Sequence, residues 1–256
     1  MKVATWNVNS VRARLDRLLA WLERQEPDLV CLQELKVTGE AFPREAVEAA
    51  GYHAAVFGQK TYNGVAILAR EEPANVKRGM GEGDADPQAR LIGAEVEGVR
   101  VFNAYVPNGG EVGSDKWVYK LEWISRFAEH VAADASPSAR VLVCGDLNVA
   151  RDDLDVARPQ EWADSVLCHP DARESLARLR EWGLVDVLRE KHPEGGIYSW
   201  WDYRRLAFPK GDGLRIDHIL ATPALAARCT RAEVDRDERK GSKPSDHAPV
   251  VAVFDL

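Results

Sequence analysis

Six short polar groups stand where strand-like apolar runs end: Asn7; Glu34; Tyr105 with Asn108; Asp146 with Asn148; Asp217 with His218; and Asp246 with His247. A lone acid after a strand is most often a turn residue or a helix cap. That reading weakens when the same arrangement recurs along one chain. It weakens further because Asn7, Glu34, Asp146, Asn148 and Asp246 are all hard oxygen donors. Such donors suit magnesium or manganese, which keep several waters and share substrate phosphate oxygens. Zinc would want more histidine and cysteine than these groups offer. Asp146 is costly to bury alone, so it must meet solvent, a metal, a proton or a partner.

The elements that carry these groups can be read from periodicity. Val141, Leu142, Val143 and Cys144 form a run suited to a strand buried on both faces, broken by Gly145 just before Asp146. In an open α/β sheet that turn lies at the carboxyl end of the strand, where ligands bind. Further strands are expected over 2–6, 29–32, 53–57, 64–69, 91–96, 99–105, 214–220 and 248–254, and 198–203 is aromatic and strand-like. Alternation along 214–220 would put Arg215 and Asp217 on one face and His218 on the other. Asp217 is then available to orient His247, as carboxylates orient imidazoles in other hydrolytic sites, and His218 is read as structural. Helices are expected from a Ser10 cap to Pro27, over 45–50, 114–133 and 171–182, and briefly at 224–227. Residues 60–64 look like a hairpin turn, 71–88 a loop, 151–170 an irregular excursion and 236–243 a basic loop. With no low-complexity linker and no short repeat, residues 1–256 are expected to form one α/β domain, its sheets packed between helical layers.

Composition narrows the class. An apolar content of 45% with 29% charged residues is that of a globular protein in water. No apolar run approaches the roughly 18 residues of a membrane span, and the first residues lack the apolar core of a secretory signal. Cys31, Cys144, Cys168 and Cys229 make no C-x-x-C pair and read as reduced thiols of a cytoplasmic protein. The net charge of −7 argues against coating the whole surface with a polyanion. It leaves room for nucleic acid, because a carboxylate site attracts phosphate once a divalent cation is bound.

Eight blocks in order extend the reading. They are Trp-Asn-Val-Asn-Ser at 6–10, Leu-Gln-Glu at 32–34, Tyr-Asn-Gly-Val-Ala at 62–66 and Asn-Ala-Tyr-Val-Pro-Asn-Gly at 103–109. After these come Gly-Asp-Leu-Asn at 145–148, Ser-Trp-Trp-Asp-Tyr-Arg at 199–204, Arg-Ile-Asp-His at 215–218 and Ser-Asp-His-Ala-Pro-Val at 245–250. Together they resemble the exonuclease III family of abasic-site DNA endonucleases. The resemblance implies a four-layer α/β/β/α sandwich, two mixed sheets face to face with helices outside and the site in loops at one edge. It implies hydrolysis of the phosphodiester 5′ to an abasic sugar, leaving a 3′-hydroxyl, with 3′→5′ exonuclease and 3′-end-cleaning activity that varies between members. Carried over, Glu34 is the principal magnesium ligand, with Asn7 and Asp246 near the metal and Asp146, Asn148 and His247 completing its surroundings; manganese is an alternative ion. Asp146 activates the attacking water or protonates the leaving group, and Asn148 positions it. Tyr105 and His247 contact the scissile phosphate and Asp217 holds His247. The sequence leaves open which of Asp146 and His247 is the base.

The same resemblance assigns Trp200, Trp201 and Leu214 to a pocket for a flipped abasic sugar, with one of the two tryptophan rings expected in the core. The expected partner is double-stranded DNA with abasic sites or 3′ ends, bound by a monomer without membrane. Lys77 with Arg78, and the run 236–243, are candidate contacts to its backbone. A phosphatase or phosphodiesterase of small phosphoesters is the alternative within the superfamily, and a non-catalytic RNA- or DNA-binding relative that has lost its metal site is the alternative of a different functional class.

Overall fold

The computed structural model describes residues 1–81 and 86–256. Its strands are β1 (Lys2–Asn7), β2 (Leu29–Gln33), β3 (His53–Phe57), β4 (Val65–Ala69), β5 (Ala74–Arg78) and β6 (Leu91–Val96). They continue with β7 (Val99–Tyr105), β8 (Val141–Asp146), β9 (Val185–Asp186), β10 (Asp217–Ala221), β11 (Cys229–Val234) and β12 (Val250–Phe254). Among the described residues they build two six-stranded sheets, ordered β11-β12-β1-β2-β4-β3 and β5-β6-β7-β8-β10-β9. Both sheets are mixed: β1 runs parallel to β2 and β7 parallel to β8, and the other named pairs are antiparallel.

Alternation along the strands makes the layers. On β8, Leu142 and Cys144 turn into the space between the sheets with Cys31, Ile67, Val101, Ile219 and Ala252. Val141 and Val143 turn outward beneath the helix α2 (Asp115–Asp134), which lays Ile124, Phe127 and Val131 on them. On the other sheet, Trp6 and Val30 meet Leu18, Trp21 and Leu22 of α1 (Leu15–Gln25). Each such side chain removed from water stabilises the fold by roughly 1.5–3 kcal/mol. The order helix, sheet, sheet, helix is the four-layer α/β sandwich expected.

Register is what assembles the site. Tyr105 pairs with Asp146 across β7 and β8, and Asp146 pairs with Asp217 across β8 and β10. On the facing sheet Asn7 pairs with Gln33, the residue before Glu34. A slip of one residue in any of these pairs would turn its polar group to the opposite face.

Several local expectations are corrected. The first helix begins at Leu15, not beside Ser10, and Arg14 rather than Ser10 stands at its start. The N–H groups of Val8, Ser10 and Val11 are committed to the carbonyls of Gln33, Glu34 and Leu35, which holds this segment against the end of β2. Within 71–88, residues Ala74–Arg78 form an edge strand, and the rest of that expected loop includes 82–85, outside the described residues. The strand β11 was not anticipated. The aromatic run 198–203 is not a strand: Trp200 alone makes bridges, to Leu214 and His247. The excursion 151–170 holds a short helix at Pro159–Trp162. Because β10 starts only at Asp217, alternation does not reach back to Arg215. Its guanidinium instead lies between Asp155 and Asp186 at 2.7–3.0 Å, beside His218, fully buried. This arrangement ties the excursion to the start of β10, and no described helix is long and apolar enough to cross a membrane.

Candidate active site

Two backbone devices present the central carboxylates. A Cβ at Gly145 would stand 1.9 Å from the Ala104 carbonyl oxygen, so only glycine lets β8 run this close to β7 just before Asp146. Glu34 leaves β2 in the left-handed region at φ +52, its carbonyl held by the Ser10 N–H at 2.8 Å. For a non-glycine residue that conformation costs roughly 1–3 kcal/mol and is kept only where the surroundings fix it.

The side chains then close into one network. Asn7 Nδ2 donates to Glu34 Oε1 and to Asp146 Oδ2, each at 2.9 Å. The Tyr105 hydroxyl donates to Glu34 Oε1 at 2.8 Å, and Lys36 Nζ lies 2.9 Å from Glu34 Oε2. Asp146 Oδ1 accepts from the Asn148 N–H at 3.0 Å. His247 sets Nδ1 against Asp217 Oδ2 at 2.8 Å and Nε2 at 3.7 Å from Asp146 Oδ2. The Ser199 hydroxyl donates to Asp217 Oδ2 at 2.6 Å and receives the N–H groups of Ile216 and Asp217, which fixes the carboxylate behind the imidazole. Ligand atoms of Glu34, Asp146 and His247 all lie within 4.8 Å of one another.

Burial and charge set the protonation. Burial raises Asp146, helped by the charges of Asp217 and Glu34 and opposed by His247 and Asn7, to about 7. For His247 burial works against the imidazolium, but Asp217 and Asp146 outweigh it and raise the ring to about 10. Burial would raise Glu34 too, yet the Lys36 charge and the Asn7 amide leave it below its ordinary value. Tyr105 is pushed well up by burial and by Glu34 and Asp146, so it stays a phenol that donates. At neutral pH the centre therefore offers one ionised glutamate, an aspartate near its midpoint, an imidazolium and a phenol.

A comparison with protein families matches residues 4–247 to the Endonuclease/Exonuclease/phosphatase family. The chain belongs to that family. Exodeoxyribonuclease III of Haemophilus influenzae is 37% identical over 99% of this chain and the whole of that protein. An AP endonuclease from Archaeoglobus fulgidus superposes with a TM-score of 0.97 at 42% identity, each chain fully covered. The 3′ phosphatase NExo (D146N) from Neisseria, bound to a product DNA hairpin, gives 0.97 at 42%, again over both whole chains.

Within this family member, the sequence-derived residues divide. Glu34, Tyr105, Asp146, Asn148, Asp217 and His247 converge with Asn7 as just described. Asn7 turns its amide nitrogen, not its oxygen, to the carboxylates; Oδ1 accepts from the Asn9 N–H at 2.9 Å. It tethers the two acids rather than offering a ligand atom between them. The Asn148 amide is spent on the Val106 carbonyl and on Asn108. Asp246 stands outside the group of three, its oxygens taken by Asn9 Nδ2 at 2.9 Å and Trp200 Nε1 at 3.1 Å. His247 commits Nδ1 to Asp217 and turns Nε2 toward Asp146, within 4.8 Å of ligand atoms of both acids.

Of the proposed pocket, Trp200 is half-buried, with Trp162 edge-on at 5.8 Å. Trp201 and Leu214 are corrections. Trp201 is 1% exposed and packs on Ala207, Ala248 and Phe208, in a cluster separate from the one that Trp200 rests on. Leu214 is fully buried in the cluster on which Trp200 rests. The reading missed Asn9, Lys36 and Ser199. Asn9 and Lys36 each follow a named residue by two, and Lys36 Nζ reaches Asn9 Oδ1 at 2.6 Å, joining the Asp246 and Glu34 sides.

The Asp217–His247 pair can be checked directly. Asp217→Asn removes the charge that most raises the ring, so the NMR titration of His247 is expected to fall from about 10 toward its ordinary 6.5. Because the folded value is raised, the pair stabilises fully below pH 6.5 and loses that stabilisation as pH rises through about 10. Melting temperatures of the variant should show less loss across that window. An unshifted titration would mean that Asp217 does not hold the imidazolium.

Proposed function

We propose that this chain is a metal-dependent DNA repair nuclease that cuts duplex DNA 5′ to an abasic site, leaves a 3′-hydroxyl and also trims 3′ ends. One observation carries the reading: Glu34, Asp146 and His247 converge within 4.8 Å at a loop edge, with Asp217 behind the histidine. The names of the relatives support it, since they are an exodeoxyribonuclease III, an AP endonuclease and a 3′ phosphatase held with product DNA.

The residues divide the work as follows. Asp146, near 7, is matched to take a proton from water at neutral pH and to give it up afterwards. The Asn148 N–H fixes Oδ1 and the Asn7 amide fixes Oδ2, which lies 3.7 Å from His247 Nε2 and is the oxygen assigned to meet the attacking water. In-line attack builds negative charge on the non-bridging oxygens and on the departing 3′-oxygen. The His247 imidazolium and the Tyr105 phenol are donors placed for that charge, in a site already shielded from water. The two carboxylates fit a hard divalent cation, magnesium before manganese, held by Glu34 and Asp146; bound there it would stabilise phosphate charge as a Lewis acid. Trp200 forms the wall against which a sugar without a base is received, and extrusion costs least where there is no base to unstack. The same reading makes the chain a single-domain monomer of the cytoplasm, where its four buried cysteines stay reduced.

The test is a labelled duplex with one abasic analogue beside an undamaged recessed 3′ end, each with and without magnesium. Magnesium-dependent cutting on the 5′ side of the analogue is expected, with slower shortening of the 3′ end. Hydrolysis of small phosphoesters while the duplex stays whole would favour the phosphatase branch instead.

A further inference from the structure

A lysine lies buried behind this site. Lys120 sits on α2 with no exposed surface, and none of its bonds goes to a carboxylate. Lysine is almost never buried so completely without a charged partner, and each unmade N–H bond there would be costly. Here Nζ donates to three backbone carbonyls: Asn108 at 3.1 Å, Asn148 at 2.7 Å and Val166 at 2.6 Å. Those carbonyls belong to three separate segments at the active edge, the exits of β7 and β8 and the stretch before Pro170. The loop after β7 also closes directly on the lysine stem. A Cβ at Gly109 would come within 2.8 Å of Lys120 Cδ, and φ there is +98.

We propose that Lys120 is a positioning residue for the hydrolysis, acting through Asn148. Its ammonium fixes the carbonyl of Asn148, the N–H of Asn148 fixes Asp146 Oδ1, and the Asn148 side chain bridges to Val106 and Asn108 in the neighbouring loop. Three acceptors around one nitrogen define its place in three dimensions. An apolar side chain of the same length would fill the volume and leave all three carbonyls unpaired and free to shift. Shifts of under an ångström at a general base are enough to lose turnover without losing substrate.

The inference rests on the nuclease reading, and the experiment separates the two. The full chain is assayed on the abasic duplex with magnesium as wild type, Lys120→Met, Asp146→Asn and the double variant, each shown folded by near-ultraviolet circular dichroism. Lys120→Met is expected to lower kcat by about 30-fold with KM within about threefold, and to cost under about threefold once Asp146 is already replaced by asparagine, the non-additivity of residues acting as a unit. An equal loss in both backgrounds, or a loss confined to melting temperature or KM, would overturn the proposal and leave a structural lysine. If Lys120→Met does not fold, Lys120→Gln takes its place. If that fails too, Gly109→Ala, which presses on Lys120 from the buried turn after β7, carries the same comparison. Wild type that leaves the abasic duplex uncut would defeat the nuclease reading; wild type and Lys120→Met cutting equally fast would defeat this inference alone.

Discussion

Asp146→Asn is expected to lower turnover on an abasic duplex by about 10³-fold, within the 10²–10⁴ that a positioned base contributes, while binding changes by less than about threefold. The substitution keeps shape and volume, and the Asn148 N–H still finds an oxygen. What disappears is the group proposed to take the proton from water. Sign and pH window follow from the same burial. The base form of Asp146 grows as pH rises through about 7, so the wild-type rate should rise over that range, and a cation beside it would move the limb to lower pH. The residual rate of the variant should lack this limb. Stability should change in the opposite sense. A buried acid whose folded value lies above its ordinary 3.8 binds its proton more tightly in the native state, so its contribution is present at low pH and lost as pH rises through about 7. Above that pH the asparagine variant should melt no lower than wild type, and higher if it relieves the charge crowding of Asp217 and Glu34. Single-turnover incision and fluorescence anisotropy in chelator measure the two halves. Intact turnover with lost binding would put Asp146 in recognition rather than in chemistry.

How much of this was legible beforehand depends on what kind of information each residue carried. Glu34, Asp146, Asp217 and His247 could be named because acids at strand ends need a reason, and strand register then brings them together without further design. The direction of the Asn7 amide could not be read, since its oxygen and nitrogen are assigned by partners distant in sequence, Glu34 and Asp146, together with the Asn9 backbone. Trp200 and Trp201 are alike as letters, and only the bridges of Trp200 to Leu214 and His247 decide which ring faces the core. The helical spacing of Val11, Leu15, Leu18 and Leu22 is genuine, but pairing of 8–11 with 33–35 claims the backbone at its front and delays the helix to Leu15. Arg215 was misplaced because alternation was extended three residues beyond the strand that enforces it. The edge strands β5 and β11 escaped notice for a common reason. Their side chains are mostly exposed or half-exposed, so no apolar pattern marks them.

Chelation is expected to abolish incision altogether, and magnesium to restore it, while Glu34→Gln should lower kcat by about 10²-fold or more and raise the magnesium needed by at least about tenfold. The two effects share one cause. Glu34 is the carboxylate kept ionised despite burial, by Lys36 and the Asn7 amide, so it is the anion already prepared to meet a cation. The glutamine of the variant would keep an oxygen for Asn7 and Tyr105 but lose the charge, leaving Lys36 without its counter-ion in a partly buried place. Excess magnesium should therefore recover only part of the rate. Manganese, another acceptor of hard oxygen donors, should substitute in wild type, whereas zinc, which favours nitrogen and sulfur, should support little turnover. The control is Lys36→Met, which frees Glu34 of its competing cation: it should lower the magnesium requirement if Lys36 and the metal contend for Oε2, and raise it if Lys36 serves only to keep Glu34 ionised. Cleavage that persists in chelator, in wild type, would mean that Glu34, Asp146 and His247 do their work without a cation, and the carboxylate pair would then need a different explanation.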